Sequence, residues 1–206
     1  ALGVLIDPGD ELLLADPGYP CNRHFVRTLE GVPRAIPVGP ESGYQPTAGQ
    51  TARHWTPRSK GLLAASPSNP TGTLIEPAAL AALHECVAAR GGALLVDEIY
   101  HGLTYDCAAQ TALALSDDIF VINSFSKYFG MTGWRLGWLV APEGLVRDIE
   151  KLAQHFFISP STPAQHAALA AFQPDTLAIL EARREEFGAR RDTLLPALRS
   201  LGFRVA

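Results

Sequence analysis

Three polar side chains of different chemistry stand at or just beyond the ends of apolar runs in this sequence. Asn69 and Lys127 each follow such a run, and Asp97 ends one. Taken singly, each has an ordinary explanation: Asn69 as part of a turn, Asp97 as a helix cap or the partner of a buried arginine, and Lys127 as a surface lysine. Lys127 stands out because only three of the 17 basic residues are lysines.

Taken together, the three residue types match one kind of chemistry. A buried lysine can lose its proton and form a Schiff base with an aldehyde. A carboxylate can hold a pyridine nitrogen in its protonated form, which makes the ring an electron sink. An arginine can grip a phosphate through two parallel hydrogen bonds, and Arg135 follows Lys127 by eight residues. The combination predicts a site for pyridoxal 5′-phosphate.

The elements that would position these residues follow from the hydrophobic pattern. Short, continuous apolar runs are typical of strands that are covered on both faces. They predict buried strands at 11–16, 34–38, 61–65, 93–97, 119–123 and 135–141. Amphipathic stretches predict helices at 77–91, 143–157, 163–172 and 174–200. Alternating strands and helices favour an α/β fold with a mostly parallel sheet, in which ligands bind beyond the carboxyl ends of the strands.

Composition excludes several other classes of function. A net charge of −4 and a pI near 5.9 give no reason to expect a nucleic-acid partner. Arginines and glutamates are mixed between residues 181 and 191, which predicts a solvated helix face. No apolar run reaches membrane-spanning length, so we expect no membrane partner. The three cysteines and six histidines lack metal-ligand spacing, so we expect no metal, and the cysteine usage suits the cytoplasm.

Four motifs carry a family resemblance, and they occur in this order: "DPGYP" (16–20), "SNPTG" (68–72), "DEIY" (97–100) and "SFSKYFGMTGWRLGW" (124–138). With them the chain resembles the large domain of the class I and II, fold-type I, pyridoxal-phosphate aminotransferases, over essentially its whole length. The resemblance implies a three-layer sandwich in which helices flank a mostly parallel sheet. It also implies pyridoxal 5′-phosphate as cofactor.

The resemblance implies catalytic roles for Lys127, Asp97 and Tyr100, and a cofactor contact for Asn69. Lys127 is similar to the lysine that holds the cofactor as a Schiff base and then moves the substrate's Cα proton. Asp97 is similar to the partner of the pyridine nitrogen. Tyr100 and Asn69 are similar to the residues that hydrogen-bond the 3-oxygen of the ring.

Further cofactor contacts are implied in the same way. Tyr19 stands where the family places an aromatic side chain against the ring. The implied phosphate clamp consists of Ser124, Ser126 and Arg135. Tyr128 and Trp134, in the same motif, are predicted to be packing residues, because large aromatic side chains belong more often to the core than to a catalytic site.

The resemblance also bears on domain organisation. Residues 1–201 are expected to form the large domain with its amino end truncated, and 202–206 to begin a C-terminal small domain. In the family, one phosphate-binding loop precedes the "DPGYP" region and the arginine for the substrate α-carboxylate lies in the small domain. We therefore expect residues 1–206 alone not to transaminate at a useful rate.

The implied activity is transfer of an amino group between an amino acid and a 2-oxo acid, in a homodimer. Two alternatives stay open at this point: a C–S lyase that uses the same scaffold, and a ligand-sensing domain of an aminotransferase-like transcription regulator. In dicarboxylate-specific members an arginine precedes a segment similar to "FFISPSTPAQ". Here that place is near His155, which argues against a strong preference for aspartate.

Overall fold

The apolar runs form one six-stranded sheet in the computed structural model, which describes residues 1–205. The strands are β1 (Glu11–Asp16), β2 (Val32–Pro37), β3 (Ser59–Ala65), β4 (Ala93–Asp97), β5 (Phe120–Ser124) and β6 (Gly137–Val140). Their order across the sheet is β2-β1-β3-β4-β5-β6. All neighbours are parallel except β5 and β6. The predicted α/β fold with a mostly parallel sheet is confirmed.

Six α-helices within residues 1–205 flank this sheet or extend from it. They are α1 (Pro20–Thr28), α2 (Ala48–His54), α3 (Pro77–Ala88), α4 (Glu143–Phe157), α5 (Thr162–Ala171) and α6 (Pro174–Ser200). The sequence predicted α3 to α6 but neither α1 nor α2. In α1 only Val26 is buried, and α2 has seven residues, so neither has a long apolar stripe. A local signal marks α2, because Thr47 and Gln50 form a capping box at its start.

Alternate residues of the central strands face two separate cores. Leu94 and Val96 of β4 pack in one core, into which α3 places Leu83. Leu95, between them, packs in the other core, which α4 covers in part with Leu145. The sheet is therefore the middle of three layers, and continuous hydrophobicity in β4 reflects burial on both faces.

Two of the predicted strands are not buried. Ile36 is the one buried residue of β2, and β6 exposes Trp138 and Val140 by 38% and 37%. The prediction of burial was wrong here because β2 and β6 lie at the two edges of the sheet, where less of the fold covers them. β6 is also shorter than predicted, since Arg135 adopts a left-handed backbone conformation (φ 53°) just before it.

The parallel strands β1 to β5 end at a common edge of the sheet. The chain passes from β1 to β2 on one side and then to β3 on the other, so the strand order reverses between β1 and β3. In open α/β sheets, ligands bind outside the carboxyl ends of the strands at such a reversal. The segments that follow β1, β3, β4 and β5 at this edge carry the predicted site residues.

The carboxyl end of the chain is less fully described. Helix α6 ends at Ser200, next to the predicted domain boundary at 201. Ala206, the last residue of the predicted small-domain segment, lies outside the described residues. None of the helices within residues 1–205 combines the length and the apolar character needed to cross a membrane.

Candidate active site

The turn after β3 presents Asn69 to Tyr100. Its ends are tied together because the Ser68 amide donates to the Thr73 carbonyl over 2.9 Å. Gly72 has a positive φ of 71°, which lets the chain turn between them. Asn69 Nδ2 then donates to Tyr100 Oη over 3.3 Å. Since that hydroxyl oxygen accepts from the amide, the hydroxyl proton of Tyr100 is left to donate elsewhere.

Asp97 is a half-buried carboxylate at the end of β4. Its Oδ1 accepts a hydrogen bond from the Ile99 amide over 3.0 Å. Burial raises the pKa of the Asp97 carboxyl; the Ile99 hydrogen bond and the charge of Lys127 lower it, the charge of Glu98 raises it, and the net shift is upward. A positive group placed beside Asp97 would relieve the cost of its charge.

Lys127 stands beside these residues, beyond the end of β5. Its Nζ lies 5.3 Å from the centre of the Tyr100 ring. The Lys127 side chain is exposed, because the segment past β5 lies at the open edge of the sheet rather than between the sheet and a helix.

Hydrogen bonds hold the segments on either side of Lys127 together. Ser124 Oγ donates to the Leu136 carbonyl over 3.1 Å and accepts from the Ser126 amide over 3.0 Å. Thr132 Oγ1 donates to the Ser126 carbonyl over 2.6 Å. Arg135 is exposed and its Nη1 donates to the Thr132 carbonyl over 3.0 Å. The two serines and the segment that carries Arg135 are thereby held as one unit.

Aromatic packing fixes the same unit from beneath. The ring of Phe125 lies 4.9 Å from Phe129, 5.2 Å from Trp138 and 5.7 Å from Phe172, measured between centroids. Offset and edge-to-face contacts at such distances stabilise a fixed arrangement. Lys127 lies between Phe125 and Phe129 in the chain, so both of its neighbours two residues away are anchored.

The two residues predicted to pack have different surroundings. Tyr128 is half-buried and its ring lies edge-on to Phe129 at 5.1 Å. Its hydroxyl also donates to Glu181 of α6, a contact that the sequence did not indicate because the two residues are 53 positions apart. Trp134 is 48% exposed, so its prediction as a packing residue was wrong. It lies in a short 3₁₀ turn at the surface.

Tyr19 lies near Asn69, at the same edge of the sheet. It is 43% exposed and directly precedes α1. Its pKa is raised, chiefly by the neighbouring Cys21 thiol, then by partial burial and by the charges of Tyr100 and Asp97. Asn69 lines one cleft with Tyr19 and a second cleft with Tyr100.

The structure thus groups the eight predicted site residues in two adjoining sets. The first surrounds the ends of β1, β3 and β4 with groups that could hold an aromatic ring: Tyr19, Asn69, Asp97, Tyr100 and Lys127. The second lies on the bonded segments after β5 and could hold a phosphate: Ser124, Ser126 and Arg135. An amine, a carboxylate, a phenol, two serine hydroxyls and a guanidinium therefore lie at one edge of the sheet.

Known proteins of one family match this chain. The family described as aminotransferase class I and II matches residues 1–206. The valine–pyruvate aminotransferase of Mycobacterium tuberculosis is 43% identical over 95% of this chain and 51% of its own length. The crystal structure of a putative aminotransferase from Silicibacter pomeroyi has a TM-score of 0.91 at 44% identity, over 98% of this chain and 53% of that one.

A more distant structure has the same fold. The aspartate aminotransferase of Thermus thermophilus with maleate has a TM-score of 0.91 at 32% identity, over 97% of this chain and 53% of that chain. The chain spans about half the length of the curated relatives it matches.

Proposed function

Because the chain belongs to the class I and II aminotransferases, we propose that the whole protein transfers an amino group between an amino acid and a 2-oxo acid, with pyridoxal 5′-phosphate as cofactor. The observation that carries the proposal is the meeting of Lys127, Tyr100 and Asn69 beside Asp97. The amine lies 5.3 Å from the phenol ring, whose hydroxyl accepts the amide hydrogen bond. Residues 1–201 are proposed as its large domain and 202–206 as the start of a small domain.

The residues present fit the cofactor group by group. Its pyridine nitrogen, when protonated, would place a positive charge beside Asp97, and this would offset the burial that raises the Asp97 pKa. The free proton of Tyr100 and the amide of Asn69 suit its phenolic oxygen. The exposed face of Tyr19 suits its ring. When bound, pyridoxal phosphate supplies an aldehyde that condenses with amines and a ring that withdraws electrons from the attached carbon.

The phosphate would be held by the unit after β5. Ser124 and Ser126 offer hydroxyl groups, and the exposed Arg135 offers a guanidinium that can form charge-assisted hydrogen bonds. The Arg135 guanidinium already donates to Thr132 through Nη1, and its remaining N–H groups are available to an anion.

Each residue then has a distinct task in the reaction. Lys127 Nζ would hold the cofactor through its aldehyde group and, once free, would accept the proton of the substrate Cα. Asp97 would keep the ring nitrogen protonated. Tyr100 and Asn69 would donate hydrogen bonds to the phenolic oxygen and so stabilise its ionised form.

The donor is proposed to be a neutral amino acid and the acceptor pyruvate. The support is the name of the relative that is 43% identical, a valine–pyruvate aminotransferase. The absence of an arginine near His155, within described residues, agrees with a weak preference for aspartate. The test is kcat/KM for valine with pyruvate against aspartate with 2-oxoglutarate; a higher value for the second pair would contradict this choice.

Transamination is tested separately from substrate choice. The whole protein is loaded with pyridoxal phosphate and given an amino acid panel with a 2-oxo acid. We expect a new amino acid and a new 2-oxo acid in equal amounts, without ammonia. Ammonia and pyruvate from a sulfur-containing amino acid, with no dependence on a 2-oxo acid, would indicate a C–S lyase. Cofactor binding without any turnover would indicate a sensing domain.

The protein is further proposed to act in the cytoplasm as a homodimer. Phe156, Phe157 and Ile158, at the end of α4, are 72%, 75% and 84% exposed. An apolar group of this kind is typical of a surface that another chain covers. We expect a dimer in sedimentation velocity and a shift to monomer on Phe157→Glu. An active monomer of the unaltered protein at working concentration would contradict the proposal.

A further inference from the structure

Helix α6 contacts the segment that carries Lys127 through a hydrogen-bonded network. Tyr128, next to Lys127, donates its hydroxyl proton to Glu181 Oε1. Arg184 Nε donates to Glu181 Oε2 over 2.8 Å, and Arg184 Nη1 donates to the Thr104 carbonyl over 3.4 Å. The network therefore runs from the residue after Lys127, through α6, to the segment that follows Tyr100.

The same face of α6 continues along that segment. Gly188, one turn beyond Arg184, is buried against Tyr105: a Cβ built on it would lie 3.3 Å from Tyr105 Cδ1. Arg191 follows on the same face, with its guanidinium carbon 5.0 Å from the centre of the Tyr105 ring and Nη2 2.9 Å from Asp106 Oδ2. Positions 181, 184, 188 and 191 share one helix face because they are three or four residues apart. The sequence predicted this face to be solvated, whereas part of it is docked.

Tyr128 also packs directly against the segment that follows Tyr100. Gly102 has a φ of 88° and lies under the Tyr128 ring, where a Cβ would meet Tyr128 Cδ2 at 2.7 Å. Gly102 is two residues after Tyr100, and Tyr128 is one residue after Lys127. The side chain of Tyr128 thus contacts both the segment of Tyr100 and helix α6.

The charges of the network favour a fixed hydrogen bond at neutral pH. Burial, followed by the Glu181 hydrogen bond and charge, raises the pKa of Tyr128 to about 12. The hydrogen bonds from Tyr128 and Arg184 lower the pKa of Glu181. Tyr128 therefore stays a neutral donor and Glu181 a charged acceptor. A hydrogen bond to a charged acceptor is stronger than one between neutral groups.

We propose that Tyr128 is a positioning residue, which through Glu181 and Arg184 of α6 holds Lys127 Nζ in place over the Tyr100 ring. Because Lys127 is exposed, burial does not hold its side chain, and its position depends on how the segment that carries it is held. Removing the Tyr128 hydroxyl would leave its ring packed against Phe129 and Gly102 but would remove the hydrogen bond to Glu181 of α6. The role of Tyr128 in catalysis rests on the proposed function. Its role in fixing the position of Lys127 rests only on the contacts described above.

The first test uses the protein without cofactor. Tyr128→Phe and Glu181→Gln are compared with the unaltered protein, and Glu186→Gln is the matched control. Glu186 also lies on α6 and pairs with Arg190, and both of these side chains are mostly exposed. Each protein is labelled with trinitrobenzenesulfonate at a fixed pH, and the labelled lysines are mapped by mass spectrometry. Lys60 and Lys151, both exposed and paired with aspartates, are internal references in the same digest.

In both test variants we expect Lys127 to be labelled about 2- to 5-fold faster relative to the two reference lysines, because its ammonium loses a fixed cation–π contact. The control should label as the unaltered protein does. The second test uses the cofactor-loaded protein. The pH at which the absorbance of the Lys127-bound cofactor titrates should shift in both test variants, and kcat should fall about 3- to 10-fold with little change in KM.

The outcomes separate this inference from the proposed function. Unchanged labelling together with an unchanged titration in both variants would overturn the positioning role, even if the enzyme transaminates. Failure of the unaltered protein to hold the cofactor on Lys127 would overturn the proposed function. The labelling result would still decide whether Tyr128 fixes the lysine. A loss of thermal stability equal in all three variants, without any change at Lys127, would also count against the role.

Discussion

Asp97→Asn should have opposite effects on stability and on catalysis. Without cofactor, the folded state carries the Asp97 carboxyl with a raised pKa because the group is half-buried. Above the unfolded pKa of about 3.9, folding must therefore place a charge where it is disfavoured, and stability falls as pH rises towards the folded pKa. Asparagine has the same shape without the charge. We expect the variant to have the higher free energy of unfolding at pH 7 and no advantage below about pH 4.

With cofactor and substrate bound, the same substitution should be harmful rather than stabilising. Asp97 is then the proposed partner of a protonated ring nitrogen, and removing one member of a buried pair costs about 3–5 kcal/mol. At 1.36 kcal/mol for each tenfold change, this is a loss of about 100- to 5,000-fold in the rate of Cα proton removal. Cofactor binding should weaken much less, because Lys127 and the phosphate contacts remain.

The assays are urea unfolding of the cofactor-free protein between pH 4 and 8 and single-turnover kinetics of the loaded protein. Asp16→Asn is the matched control, since Asp16 also ends a strand at this edge. It is half-exposed and pairs with Arg23 at 3.7 Å, a surface pair worth about 1 kcal/mol or less. The reasoning would be refuted if the cofactor-free Asp97→Asn protein were less stable than the unaltered protein at pH 7. It would also be refuted if the cofactor-loaded variant had near-normal turnover.

Two further substitutions test the scaffold around the site. Gly102→Ala should destabilise the protein by about 1–3 kcal/mol in thermal unfolding, because Gly102 has a φ of 88° and no room for a Cβ beneath Tyr128. Gly133→Ala, where nothing lies within 4 Å, should change little, and equal effects would contradict the packing described. Leu95→Ala should lower the free energy of unfolding by about 2–5 kcal/mol in urea, because Leu95 is fully buried. Leu194→Ala, at a residue that is 59% exposed, should change the free energy of unfolding by no more than about 0.5 kcal/mol. An equally small change for Leu95→Ala would contradict the three-layer packing.

The sequence predicts best what depends on local pattern. The run at 93–96 is continuously apolar because Leu94, Leu95 and Val96 alternate between two cores, so the sequence alone indicates burial on both faces. The motif around Lys127 is similarly local. Strand ends of a parallel sheet lie at one edge, so the meeting of Asn69 with the segment after β4 also followed from the pattern.

What depends on distant contacts could not be predicted in this way. The hydrogen bond from Tyr128 to Glu181 joins residues 53 positions apart, and nothing near either one indicates the other. The exposure of β6 follows from its place at the sheet edge, which apolar content does not reveal. Trp134 has a large aromatic side chain of the kind that usually packs in a core, yet its 3₁₀ turn leaves it at the surface.

The central claim is that Lys127 is the residue that binds the cofactor, and peptide mapping tests it most directly. The whole protein is loaded with pyridoxal phosphate, reduced with borohydride and digested, and the peptides are identified by mass spectrometry. The account predicts the pyridoxyl group on the peptide containing Lys127, and no labelling of that peptide when Lys127→Ala is treated in the same way. A pyridoxyl group on Lys60, Lys151 or any other lysine, with Lys127 unmodified, would contradict it.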